Sequence, residues 1–214
     1  MELDAPSTAP QGCASESVAS PSPARAAVVV RKKTDAKLVV RRVDRARARE
    51  ANLKLSDFPP GWDSFRHLTP LELCPSFAPD LSALTATGEA ESPIFLTETN
   101  AAASRSTVYT TDAQARTAFG KQAVRAVVDC IAADARDDAG ATVQSVGPLS
   151  FPRLGQQTRA FRLVVSSEDV ATYLDLVWFR RGRTVVRLVF SAVGVPFELE
   201  RYLAAAVSRR ARSR

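Results

Sequence analysis

Alternating apolar and polar residues in the C-terminal half of the chain predict paired β-strands. In YLDLVWF, residues 173–179, Leu174, Leu176 and Trp178 fall on one face of a strand, and the residues between them fall on the other. RRGR then places Gly182 at a tight turn before TVVRLVFSAV, which predicts a β-hairpin. Similar patterns predict further strands in IFLTET, STVYTT, ATVQSVGPLSF and RAFRLVVS.

Helical spacing predicts two helices that pack on these strands. The longer helix covers residues 111–140, where Thr111 or Asp112 can cap its start and Gly140 can end it. Its inward stripe is predicted to be Ala115, Phe119, Ala123, Val127, Cys130 and Ile131. Pro196 suits the first turn of a C-terminal helix. The buried stripe of that helix is predicted to be Leu199, Tyr202, Leu203 and Ala206.

A third, N-terminal helix is predicted from about Asp35 onward. Its thin apolar stripe is Val39, Val43, Ala46 and Leu53. Its opposite side gathers the arginines Arg41, Arg42, Arg45 and Arg49. This pattern predicts an amphipathic helix that lies on the surface of the domain.

The order of these elements predicts an α+β fold. About six strands form an antiparallel sheet, packed by a long central helix, the N-terminal helix and the C-terminal helix. All fifteen aromatic residues (ten Phe, three Tyr, two Trp) lie at or after Phe58. We therefore expect a flexible Ala/Ser/Pro-rich tether at 1–34, one domain at 35–210 and a basic tail at 211–214.

The stretch FPPGW interrupts the N-terminal helical pattern and predicts a chain reversal. Phe58 precedes a proline and is disfavoured in a helix, and Pro60-Gly61 suits the centre of a type II turn, where glycine supplies a positive φ. The turn brings Phe58 and Trp62 to the same neighbourhood. They either close the core or form the lip of a ligand site.

A cleft between the sheet and the irregular segment 58–92 is the candidate binding site. Its lining is predicted to be the four aromatic residues Phe58, Trp62, Phe65 and Phe77. The alternative is that these side chains simply fill the core.

Positive charge is unevenly distributed. The formal net charge is +6, and residues 31–49 alone hold nine Lys or Arg against two Asp. The arginines of the N-terminal helix (Arg41, Arg42, Arg45, Arg49) are candidates for contact with an anionic surface such as the cell envelope. Nucleic acid is less favoured, because no aromatic residues are interleaved with the basic runs and no DNA-binding motif is present.

Catalytic and metal-binding patterns are weak. The single histidine, His67, lies in a Pro-rich loop, where a solvated side chain is commoner than a catalytic base. Asp134, Asp137 and Asp138 gather near a helix end without the oxygen spacing of a calcium loop. We predict no catalytic residue, metal or cofactor. An enzyme with an unrecognised site stays an alternative.

Three cysteines leave one unpaired if two form a disulfide. Cys130 is expected to face the core from a helix. Cys74 lies in a long irregular segment that needs an attachment to the rest of the domain. A Cys74–Cys130 bridge would favour an oxidising compartment, and Cys13 would stay free. The alternative is two buried reduced thiols in a cytosolic protein.

The helix that runs into LKLSDFPPGW, and the Cys-bearing loop that leads to TGEAESPIF, resemble small secreted proteins of actinobacteria. Several of these are similar to the PsbP-like fold, which includes mycobacterial lipoproteins of the LpqN type. The resemblance covers about residues 36–208. It implies a non-catalytic module outside the cytoplasm that binds a protein or a small ligand.

The expected location is therefore extracytoplasmic or at the cell envelope. The opening MELDAPSTAPQG lacks the apolar run of a secretory signal. No apolar run reaches the ~18 residues of a transmembrane helix. We expect a monomer.

Overall fold

The computed structural model describes residues 34–66, 73–137, 140–167, 170–194 and 198–212. Within these ranges the chain forms nine β-strands and four α-helices. The strands are β1 (Lys37–Leu38), β2 (Asp63–Phe65), β3 (Thr85–Glu91), β4 (Ile94–Leu96), β5 (Asn100–Tyr109), β6 (Ala141–Pro148), β7 (Gln157–Ser167), β8 (Val170–Arg181) and β9 (Thr184–Val193). The helices are α1 (Arg42–Glu50), α2 (Asp112–Gln122), α3 (Arg125–Asp137) and α4 (Glu200–Arg210). Residues 1–33 of the predicted tether, His67, Asp138 and Pro196 lie outside the described residues.

All nine described strands belong to one mixed sheet. Its order is β1-β3-β5-β9-β8-β7-β6, with β4 also paired to β5 and β2 to β4. Only the β1–β3 pair is parallel among the described strands. The α+β class is confirmed, but the count of about six strands was too low. The missed strands β1 and β2 are very short, and β3 has the sequence TATGEAE, which carries no apolar alternation.

The two faces of the sheet pack different helices. The α4 face is covered by helix α4 and by the residues that follow α1, and its core includes Val177 and Phe179 of β8. The α2/α3 face is covered by α2 and α3, and its core includes Leu176 and Trp178 of the same strand. The alternation predicted for 173–179 is confirmed, because successive residues point to opposite faces.

The predicted central helix is divided into two. Thr111 caps α2 as expected, its hydroxyl accepting a hydrogen bond from the Gln114 amide. Helix α2 ends at Gln122, however, with Ala123 as its C-cap, and α3 begins at Arg125. The Arg159 guanidinium on β7 donates to the Ala123 carbonyl at 2.8 Å, so a tertiary contact satisfies a carbonyl that a continuous helix would use. Cys130 is only partly buried, unlike the predicted inward position.

The apolar stripe predicted for the N-terminal helix was wrong for Val39, Val43 and Ala46, which are exposed, whereas Leu53 is buried but lies after the end of the helix. Helix α1 starts at Arg42, after Val39, and Val39 and Val43 are 45% and 72% exposed. Asp44 and Ala48 are buried instead. Asp44 turns inward because its carboxylate pairs with Arg183 at 2.9 Å, which an apolar-stripe argument does not consider.

Helix α4 keeps part of its predicted stripe. Leu203 and Ala206 are buried, as expected, but Tyr202 is 61% exposed. Glu200 is buried at the first turn in its place. The inward face is therefore rotated relative to the prediction, so that Glu200 can reach the charged residues of β7 and β8.

Candidate ligand-binding cavity

The four aromatic residues predicted to line one cleft lie in three places. The rings of Phe58 and Trp62 are 4.5 Å apart, and Phe58 also contacts the buried Phe95 at 4.8 Å on the α4 face. Phe77 packs on the opposite face, and Phe65 is 62% exposed. A single aromatic cleft was therefore a wrong prediction. The sheet separates Phe77 from Phe58 and Trp62.

The FPPGW turn itself is formed as predicted. Gly61 has φ of +95°, a left-handed conformation that glycine adopts without strain. The turn brings Phe58 and Trp62 together, and both pack against the core of the α4 face. This favours core closure over a ligand lip for these two residues.

The predicted cysteine pair is at disulfide distance. The Cα atoms of Cys74 and Cys130 are 6.1 Å apart, and their Sγ atoms are close enough for a bridge. The pair attaches segment 73–81 to helix α3. The segment is also held by the Leu81 amide, which donates to the Thr34 carbonyl, and by Lys121, whose Nζ donates to the Asp80 carbonyl.

A cavity of about 160 Å³ lies between this segment and the α2/α3 face of the sheet. Its apolar lining is Leu73, Phe77, Leu81, Val127, Trp178 and Val185. Its polar lining includes Glu89, Arg105, Thr107, Tyr109, Gln122 and Arg187. Of the four predicted aromatics, only Phe77 lines this cavity. A concave apolar pocket with a few convergent polar groups is the usual form of a small-molecule site.

The two arginines of the cavity lining belong to one row of residues across the sheet. Glu91, Arg105 and Arg187 are successive cross-strand partners on β3, β5 and β9, and Trp178 on β8 follows Arg187. Arg105 lies 3.4 Å from Glu91 and 3.9 Å from Glu89 through its guanidinium nitrogens. The arrangement sets two guanidinium groups side by side on one face.

The electrostatics of Arg187 are unusual for an arginine. Burial and the neighbouring charge of Arg105 lower the pKa of Arg187 to about 10, and Glu91 opposes this shift. Like charges that face each other across two strands are destabilising. Guanidinium groups bind carboxylates and phosphates through paired hydrogen bonds. The two guanidinium groups share the cavity with the carboxylates of Glu89 and Asp35, which oppose their positive charge.

Sequence reasoning missed both arginines. Each lies within a stretch of small or apolar residues, in AAASRSTVY and TVVRLVF, and a charged residue inside such a strand is the signal that could have revealed them. Their pairing depends on the register of β5 against β9, which no local pattern predicts.

A second charged cluster lies on the α4 face, where its two acidic residues are buried and its arginine is partly exposed. Arg162 binds the Asp175 carboxylate through two 2.6 Å hydrogen bonds, and the Glu200 carboxyl lies 4.0 Å from Arg162. Burial and the neighbouring Asp175 carboxylate raise the pKa of Glu200 to about 8, so this carboxyl group is mostly protonated at neutral pH. Asp175 and Glu200 are buried, so the cluster is structural.

The predicted anionic-surface arginines are all exposed. Arg41, Arg42, Arg45 and Arg49 lie on the outer side of α1 and its preceding residue. The structure adds exposed apolar neighbours that the predicted buried stripe did not allow: Val39, Val40 and Val43.

Metal-ligating residues converge at one place in the described ranges. Cys74, Cys130 and Asp134 lie together, with the Asp134 carboxylate 3.3 Å from the Cys74 sulfur. Because the two sulfurs are at disulfide distance, a bridged pair would have no thiolate to offer a metal.

No protein-family model matches the chain, and no curated protein is significantly similar to it. The resemblance to the PsbP-like fold stays a prediction from the motifs given above. None of the described helices is both long enough and apolar enough to span a membrane.

Proposed function

We propose that the chain is a non-catalytic binding module that works outside the cytoplasm and holds a small ligand in the cavity beneath segment 73–81. The observation that carries the proposal is the cavity itself, where an apolar wall meets the Arg105–Arg187 pair. Apolar side chains that enclose a space together with a few polar groups are the usual lining of a small-molecule site.

Two features of the lining support binding without catalysis. The described residues that line the cavity include no histidine. The cysteine among them, Cys74, is at disulfide distance from Cys130, so a bridged sulfur would not act as a nucleophile. The same pair fits an oxidising compartment, since disulfides persist there and are rare in the cytosol.

A cavity-filling variant tests this function. Gln122 lines the cavity from the end of α2, so Gln122→Trp should occupy the space without disturbing the sheet. Arg116→Trp, on the exposed side of the same helix, is the matched control. We expect single-ring aromatic and short branched compounds to raise the melting temperature of the wild type and the control but not of Gln122→Trp. Equal stabilisation of all three proteins would place the ligand elsewhere.

Association with an anionic membrane surface is a second candidate function, and the exposed valines favour it. Val39, Val40 and Val43 lie among four exposed arginines, which is the pairing of apolar and basic groups that interfacial segments use. We expect the full chain to sediment with vesicles of phosphatidylglycerol and phosphatidylcholine but not of phosphatidylcholine alone. Val43→Asp should weaken sedimentation with the anionic vesicles more than it weakens retention on heparin. If the variant weakens vesicle binding and heparin retention equally, charge alone accounts for the association.

A further inference from the structure

We propose that the cavity selects uncharged molecules that are about the size of one ring or a short branched chain and carry a single hydroxyl group. This inference rests on the proposed function, because it takes the cavity to be a ligand site. It names the chemical class of the ligand from the charge balance, the neutral polar groups and the volume of the cavity.

The charges in the cavity lining balance one another within the protein. Among the described lining residues, the carboxylates of Asp35 and Glu89 accompany the guanidinium groups of Arg105 and Arg187, so the formal charge of the lining is zero. The Arg105 guanidinium lies 3.9 Å from the Glu89 carboxylate and 3.4 Å from the Glu91 carboxylate, and Asp35, Glu89 and Arg187 take part in further interactions. A charged ligand would meet groups of its own sign as well as opposite ones, and it would lose its hydration on entry. The lining therefore favours an uncharged ligand over an anion or a cation.

Neutral side chains supply the hydrogen-bonding part of the site. Thr107 lies on β5, two residues before Tyr109, and pairs across the sheet with Val185 of β9. The Thr107 hydroxyl has no hydrogen-bond partner among the residues that the structure describes. The Gln122 side-chain nitrogen donates to the Tyr109 hydroxyl at 3.4 Å, which is long for such a bond. A ligand hydroxyl can both donate and accept, so it suits polar groups whose pairing within the protein is absent or long.

The size of the ligand follows from the volume. The cavity measures about 160 Å³, and an apolar protein cavity of about 150 Å³ is known to accommodate benzene. Phe77, Val127 and Trp178 offer apolar and aromatic surface in the same space. A single ring with a one-carbon alcohol fits, whereas a compound with several hydroxyls would leave some of them without partners against this apolar wall.

Tryptophan fluorescence offers a direct test in the full, oxidised chain. The sequence has two tryptophans, so Trp62→Phe leaves Trp178, at the cavity wall, as the single reporter. Benzyl alcohol is compared at pH 7 with two charged compounds of similar shape, sodium benzoate and benzylamine, and with toluene. We expect benzyl alcohol to bind at least about tenfold more tightly than either charged compound, because neither charge finds an unopposed partner in the lining.

Two charge variants shift the balance of the lining in opposite directions. Glu89→Gln leaves a net positive lining and should improve benzoate binding relative to benzyl alcohol by about fivefold or more. Arg105→Gln, at a side chain that is 37% exposed, leaves a net negative lining and should improve benzylamine binding by a similar factor. Glu98→Gln, at an exposed glutamate outside the lining, is the control and should keep the wild-type ranking.

An isosteric variant tests the hydroxyl group. Thr107→Val keeps the shape of the side chain and removes only its hydroxyl, so it should lower the ratio of benzyl alcohol to toluene affinity by about threefold or more. Thr99→Val, at an exposed threonine outside the lining, should leave the ratio unchanged.

Each result decides between distinct failures. Equal or tighter binding of benzoate or benzylamine than of benzyl alcohol by the wild type would overturn the uncharged class and leave the cavity as a ligand site. An unchanged ratio of benzyl alcohol to toluene affinity in Thr107→Val would overturn the assignment of a ligand hydroxyl. If no probe changes Trp178 emission or the melting temperature at millimolar concentration, the proposed function fails together with this inference.

Discussion

Strand β9 shows how differently the two faces of the sheet are built. Val186, Leu188 and Phe190 are completely buried in the α4 face, whereas Arg187, in the middle of the same run, lines the cavity of the α2/α3 face. One side of the strand fills a dry core, and the other presents a charge to a partly open space. The backbone is shared, so the difference lies entirely in which side chains alternate along it.

Several buried polar groups on the α4 face pair with one another, although the Asn52 side-chain nitrogen and one Glu200 carboxyl oxygen have no hydrogen-bond partner among the described residues. The Ser104 and Ser106 hydroxyls lie 3.1 and 2.8 Å from the Asn52 side-chain oxygen, and the Leu53 amide donates to Ser104 at 2.9 Å. Such a network needs no ligand. The α2/α3 face instead holds the cavity, and for this reason the proposed ligand site lies on that face.

The largest loss of stability is expected from a substitution in the fully buried core of the α4 face. Phe95→Ala removes a buried ring that also contacts Phe58, so the free energy of unfolding should fall by about 3–5 kcal/mol. Phe65→Ala, at an exposed ring, is the control and should change it by less than about 0.5 kcal/mol. Urea denaturation measures both. A loss below about 1 kcal/mol for Phe95→Ala would mean that this face is not the main core.

Removing the cysteine pair should cause the next largest loss of stability. Cys74 also lines the cavity. Mass spectrometry of unreduced peptides should show Cys74 linked to Cys130, with Cys13 open to alkylation. Cys74→Ser should lower the free energy of unfolding by about 2–4 kcal/mol, since the bridge closes a loop with a separation of 56 residues. Three free thiols after oxidative folding would remove the main support for an oxidising compartment.

The FPPGW turn should contribute less than Phe95, because Trp62 is only partly buried. Trp62→Ala should cost about 1–3 kcal/mol and leave ligand binding in the cavity unchanged. Gly61→Ala should cost about 1 kcal/mol, since alanine tolerates φ of +95° poorly. Chemical denaturation and ligand titration of both variants provide the measurement. Weaker ligand binding in Trp62→Ala would restore the lip interpretation.

The smallest effect is a change in pH dependence from Glu200. Its pKa is raised from 4.5 to about 8 in the folded protein, so the folded state holds a proton that the unfolded state releases. This stabilisation is fully present below about pH 4.5 and is lost as pH rises toward 8. Glu200→Gln should therefore gain stability relative to the wild type between pH 5 and pH 8, by about 1 kcal/mol or more. If the free energy of unfolding depends on pH in the same way in both proteins, the prediction that Glu200 is protonated in the folded state is contradicted.

Local patterns predicted the parts of the fold that local physics controls. The alternation in 173–179 gave both faces of β8, the turn at Gly182 gave the β8–β9 hairpin, and the Cys74–Cys130 pair lies where it was expected. The break after α2 depends on Arg159 of β7, which donates to a carbonyl far away in sequence. The cavity charge likewise depends on the register of β5 with β9, so neither feature could be found without the tertiary fold.

Mapping a bound ligand onto the two faces tests the central claim most directly. Amide NMR shifts of the ¹⁵N-labelled full chain are followed as benzyl alcohol, a single-ring probe, is added. We expect the saturating changes to cluster on β5 and β9 around Arg105 and Arg187 and on segment 73–81, with little change around Phe58 and Phe95. The largest changes around Phe58 and Trp62, or none at millimolar benzyl alcohol, would contradict the proposed ligand site on the α2/α3 face.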